Sequence, residues 1–83
     1  MVCHRLIARR EAAAAAAQQT ADEHHAAAER LRATGAGPLV GHLIRNREAA
    51  AARALEAANQ QRAAAHRLRQ TSQISASMEG VAR

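Results

Sequence analysis

From Leu6 to Leu31 the chain has a leucine at either end of a stretch whose other apolar positions are almost all alanine. At helical spacing, Leu6, Arg10, Ala13, Ala17, Thr20, His24, Ala27 and Leu31 fall alternately four and three residues apart. That is the repeat of one helix packed along another. The series returns as Leu43, Arg47, Ala50, Ala54, Ala57, Gln61, Ala64 and Leu68. Residues 3–33 lack Gly and Pro and are nearly all strong helix formers. The pattern predicts one helix over about 3–33 and a second over about 39–69, with Gly41 a soft spot in its first turn. Between them Thr34-Gly35-Ala36-Gly37-Pro38 supplies a C-terminal glycine, a flexible glycine and a proline suited to a first helical position, so the turn is placed at 34–38. A short link between two long helices predicts an antiparallel hairpin.

The two series are related by more than spacing. Residues 6–32 reappear as 43–69 after a shift of 37, with Leu-Ile-x-x-Arg-Glu at the front and Arg-Leu-Arg at the back unchanged. Alanine richness does not account for those identities, so the sequence reads as a tandem duplication of one helical unit. In a hairpin, facing residues have numbers of constant sum; Leu6 with Leu68 and Leu31 with Leu43 both give 74, centred on Gly37 in the expected turn. The expected seam is alanine clamped by leucine at each end, and the fold class is all-α: an antiparallel, coiled-coil-like hairpin in a single domain over residues 1–83.

Composition makes such a hairpin thin. Of 40 apolar residues 25 are Ala, leaving six Leu, three Ile, three Val, two Met and Cys3, with no aromatic residue. A lone monomer of 83 residues on this core is marginal, and pairing into a four-helix bundle or a larger assembly is the expected remedy. Leu55, which matches Gln18 in the first unit, is assigned to a partner contact. The stretch 70–83 turns to Ser, Thr and Gln and has no counterpart in the repeat, yet Ile74, Met78 and Val81 fall at i, i+4 and i+7. If the second helix continues past Arg69 they form an apolar stripe, which is assigned to partner binding beside the plainer reading of a frayed end.

All basic residues are Arg, twelve against seven acids, giving a formal charge of +5 and a preference for anionic partners. Together with the alanine load, the absence of Lys suggests a GC-rich, actinobacterial or phage source. Arg5, Arg9, Arg10, Arg45 and Arg47 sit near helix starts, where the macrodipole disfavours cations by about 0.3–1 kcal/mol each. In the hairpin Arg62, Arg67 and Arg69 join the first three at the open end, and these eight are the candidate anion-binding residues. Arg30 and Arg32 stand with Arg45 and Arg47 at the turn end.

Arg45-Asn46-Arg47-Glu48-Ala49-Ala50 resembles the basic region of leucine-zipper transcription factors. The resemblance implies Asn46, Ala49 and Ala50 at base edges and Arg45 and Arg47 on phosphates. It covers six residues: Arg53 falls one position before the family's arginine, no leucine heptad follows, and Arg9 replaces the Asn in the first unit. Without Phe, Tyr or Trp there is no platform for stacking bases, which leaves duplex binding through phosphates as the nucleic-acid alternative.

Other chemistry finds little footing. One cysteine excludes an internal disulfide and fits a reducing compartment. His24 and His25 point about 100° apart on a helix and do not chelate as an i, i+4 pair does, so no metal or other cofactor is expected. No phosphate-binding glycine loop and no nucleophile with a base and orienter occurs, so no enzyme is expected. The Ala12–Ala17 run is far short of a membrane span, and no apolar run suits a secretory signal, so the expected location is the cytoplasm or a virion. The sequence-level expectation is a non-enzymatic assembly protein working through protein association, as a homo-oligomer or a subunit of a phage particle or bacterial complex. The alternative is a small basic DNA-binding protein.

Overall fold

A computed structural model describes the backbone of residues 2–35 and 37–82 and the side-chain environments of residues 4–35 and 37–74. Helix α1 spans Val2–Thr34 and helix α2 spans Pro38–Ala82; the two pack against each other as a hairpin, and no strand occurs among the described residues. The molecule is a rod of 69 × 15 × 14 Å. Its long axis is that of α2, since 45 residues at about 1.5 Å each span roughly 68 Å. α1 has 33 residues, so α2 continues beyond the first turn of α1 as a single-helix arm. The second helix therefore does continue past Arg69, through the stretch that the repeat does not cover.

The turn follows from backbone chemistry. Gly35 and Gly37 adopt φ of 144° and 151°, values that L side chains rarely take. Nothing lies within 4 Å of a Cβ built at either glycine, so the requirement belongs to the backbone alone. The Thr34 hydroxyl, in the last turn of α1, donates to the Leu31 carbonyl at 2.8 Å. Gly37 accepts the first bond of α2 from the Gly41 N–H at 2.9 Å, with Pro38 at the first helical position, where its missing donor costs nothing.

Among the described residues six alanines are buried between the helices: Ala14, Ala21 and Ala28 from α1, and Ala51, Ala58 and Ala65 from α2. They recur every seventh residue in each helix and are related across the hairpin by the shift of 37. With these alanines as position a of a seven-residue frame abcdefg, six of the expected d positions, Ala17, His24 and Leu31 with Ala54, Gln61 and Leu68, flank the seam half-buried, while the other two, Arg10 and Arg47, are exposed. The other half of the expected seam is displaced by one residue. Ala13, Ala27, Ala50 and Ala64 sit at g, half-buried on one side, while Thr20 and Ala57 are exposed. The end clamp also changes: Leu31 and Leu68 are half-buried, but Leu6 and Leu43 are exposed, and Ile7 and Ile44 take the a positions at the helix starts. The reason is steric. Helices approach most closely where the smallest side chains lie on the line between their axes, which displaces leucine to the flank. Six buried methyl groups contribute only roughly 5 kcal/mol of burial, a thin core for a chain of this length.

Candidate functional site

Contacts across the seam fall into two sets that define two sides of the rod. On the first side position d meets d: Arg10 donates to Gln61 Oε1 at 3.1 Å, and Arg47 donates to His24 Nδ1 at 3.1 Å. On the second side e meets e: Arg69 pairs with Glu11, Arg32 with Glu48, and Arg62 donates to Gln18 Oε1 at 2.8 Å. One contact in the first set and one in the second recur at positions 37 apart, whereas Arg62–Gln18 has no counterpart, the matching positions being His25 and Leu55. Arg10 and Gln61 correspond to Arg47 and His24, and Glu11 and Arg69 to Glu48 and Arg32.

Charge is divided unevenly between the sides. The half built from positions c, d and g carries Arg9, Arg10, Arg30, Arg47, Arg53 and Arg67 against Glu23 alone, a balance of +5. The half built from b, e and f carries five arginines (Arg5, Arg32, Arg45, Arg62 and Arg69) against five acids (Glu11, Asp22, Glu29, Glu48 and Glu56), a balance of zero. Glu79 and Arg83 lie outside the described side chains and cancel. The whole formal charge of the chain thus resides on one side. Among the described residues none of the six arginines there is ion-paired, whereas the opposite side holds the pairs Arg32–Glu48, Arg32–Glu29 and Arg69–Glu11.

The same side holds most of the large apolar residues. Among the described residues Leu6, Leu31, Leu39, Leu43, Leu68 and Ile74 occupy c, d or g positions, Ile7 and Ile44 lie at a in the seam, and Leu55, at e, lies on the neutral half. Leu39 and Ile74 are the most exposed, at 71% and 60%. Near the turn Ala27, Arg30, Leu31, Thr34 and Arg47 line a depression of about 240 Å³, with an arginine contributed by each helix beside apolar residues. All five residue types recur 37 positions away, at Ala64, Arg67, Leu68, Thr71 and Arg10, toward the open end. The Thr71 hydroxyl is bonded to the Arg67 carbonyl at 3.0 Å, close to the way Thr34 is bonded to that of Leu31.

The eight candidate arginines are thereby separated. Arg9, Arg10, Arg47 and Arg67 lie on the cationic half, and Arg5, Arg45, Arg62 and Arg69 on the neutral half, with Arg69 paired to Glu11. Arg30 and Arg53 complete the cationic half and were not among the eight. The signal that finds them is a frame anchored on the buried alanines, because helix-end grouping ignores which way a residue faces. Leu55 is 38% exposed, opposite the cationic side. The side chains of Met78 and Val81 lie outside the described residues, so of the expected stripe only Ile74 is placed.

Among the described residues no group of three His, Cys, Asp or Glu side chains could hold a metal ion, and no helix is long and apolar enough to cross a membrane. No protein-family model, curated protein or solved structure matches the chain.

Proposed function

We propose that this chain is a non-enzymatic helical assembly protein that acts through protein–protein association, built by tandem duplication of one helix. It serves either as a pair of hairpins closed into a four-helix bundle or as a small subunit of a larger complex, such as a phage particle or a bacterial complex. The observation that carries this reading is the leucine-bearing side of the rod. The seam between the helices uses alanines, and five of the six leucines are left on one flank, where a further helix would cover them. A core of six alanine methyl groups adds to it, because a hairpin this thin gains much of its stability from what it docks against. The tail residues Ile74, Met78 and Val81 would extend the contact along the single-helix arm, and Leu55 would serve a contact on the opposite side.

A second reading is favoured by the charge on that same side: six arginines without acidic partners suit duplex phosphates. Exposed leucines weigh against it, since phosphates offer them nothing. Light-scattering chromatography at low and high salt, with and without duplex DNA, decides between the two. A salt-resistant oligomer whose mass is unchanged by DNA at low salt supports association with protein. A monomer that shifts onto DNA only at low salt overturns the proposal.

A further inference from the structure

We infer that the cationic, leucine-bearing side of the hairpin is the docking site for an acidic amphipathic helix of a different protein, and not for a second copy of this chain. The inference rests on the association reading and, of its two forms, takes the subunit of a larger complex rather than the closed pair of hairpins, naming the partner's chemistry.

Three observations converge on it. The first is coincidence of charge and apolarity: the half of the rod that carries five of six leucines also carries the entire +5, while the other half is neutral. A partner that satisfies both has an apolar stripe with carboxylates along its flanks, which is an acidic amphipathic helix. Duplex DNA answers only the charge, and an uncharged apolar helix answers only the leucines.

The second is the exclusion of self-pairing on this face. Two copies placed face to face would set six arginines against six, with Glu23 the one acid on each face to offset them, a net +5 against +5. The neutral half of a second copy offers no net surplus of carboxylates, because its five acids are matched by five arginines, and Glu11 and Glu48 are already held by Arg69 and Arg32.

The third is size and spacing. The paired part of the rod is about 50 Å long and 15 Å wide. Covering that face would remove roughly 1,500 Å² of surface counted over both partners, within the range of stable interfaces. Near its two ends the face repeats one constellation, Arg30, Arg47, Leu31 and Thr34 at the turn and Arg67, Arg10, Leu68 and Thr71 at the open end. The two are about 30–35 Å apart along the rod, so the partner helix carries carboxylates roughly 20–24 residues apart.

The probes are a synthetic peptide of about 30 residues with a Leu/Ala stripe flanked by Glu, the same peptide with Gln for Glu, and duplex DNA, with affinity read by fluorescence anisotropy. Far-UV circular dichroism confirms that each variant keeps its helices. The Glu peptide is expected to bind at least tenfold tighter than the Gln peptide. Arg30→Gln with Arg67→Gln, and separately Leu6→Gln with Leu43→Gln, are each expected to weaken it several-fold. Arg45→Gln with Arg62→Gln, on the neutral half, leaves it unchanged. Equal binding of the two peptides, or no loss in the arginine pair, overturns the inference. Sedimentation of the chain alone separates this failure from failure of the broader reading. A salt-resistant self-oligomer that excludes the peptide overturns the partner assigned here and keeps association, whereas a monomer that ignores both peptides and binds DNA overturns both.

Discussion

Arg32 of α1 is ion-paired with Glu48 of α2, and the residues 37 positions on and back, Arg69 and Glu11, form the same pair at the other end of the rod. The side chains in these pairs are about half exposed, between 43% and 51%, so solvent screens them and each contributes at most about 1 kcal/mol. Glu48→Gln and Glu11→Gln are therefore expected to lower stability by similar small amounts, a few tenths of a kcal/mol to about 1. Both losses should shrink in high salt. Thermal melts followed by circular dichroism check this. A loss of several kcal/mol for one substitution and none for its counterpart would show that the two ends are held differently.

The alanine seam makes a sharper prediction. Ala21 and Ala58 are fully buried between the helices, with no room for a longer side chain at their present separation. Ala21→Leu is expected to destabilise the hairpin by about 1–3 kcal/mol through overpacking. Ala26→Leu, at an exposed position of the same helix, is expected to be nearly neutral. Urea melts of the two variants measure the difference. Equal stability would mean that the helices are free to move apart at no cost.

Glycines offer a test with opposite signs. Gly37→Ala places a Cβ on a backbone with φ of 151° and is expected to cost about 1–3 kcal/mol. Gly41 lies inside α2, where an added Cβ would meet only the Arg45 side chain at 3.5 Å, an ordinary contact. Gly41→Ala is expected to gain about 0.5–1 kcal/mol from helix propensity. Melting temperatures that move in the same direction for both would contradict the turn described here.

Leu55 and the tail can be separated from the cationic face. Leu55→Gln is expected to lower monomer stability by about 0.5–1.5 kcal/mol, since the side chain is 38% exposed at an e position beside the seam. It should also leave binding of the acidic peptide unchanged. Ile74→Asp with Met78→Asp is expected to weaken association, because Ile74 continues the leucine-bearing side onto the single-helix arm. Association of undiminished strength in that variant removes the tail from the interface.

Much of the hairpin was legible in the residues. Uninterrupted helix formers on either side of Gly35-Ala36-Gly37-Pro38 place both helices and the turn to within a residue at the ends that flank it. The seam was less legible, and the reason is lack of contrast. Ala12 to Ala17 are all alanine, so every rotation of that stretch presents an equally apolar face. Leu6 and Leu31 then become the natural anchors, yet packing puts the smallest side chains innermost and turns the frame by one residue. That single residue decides the site. With leucine in the seam the arginines look grouped by end; with alanine in the seam they divide by side, and Arg30 and Arg53 join the cationic half.

Because residues 37 apart build the same contacts at both ends, the paired part of the rod looks much the same when turned end over end. A helix laid along it would meet leucine, guanidinium and threonine in the same order whichever way its own chain runs. The polarity of anything bound is then decided by what has no twin: Arg9, Glu23 and Arg53, whose counterparts are Asn46, Gln60 and Ala16, and the stretch of α2 that runs on alone past the start of α1. Removing that arm would leave those three charges to tell one direction from the other.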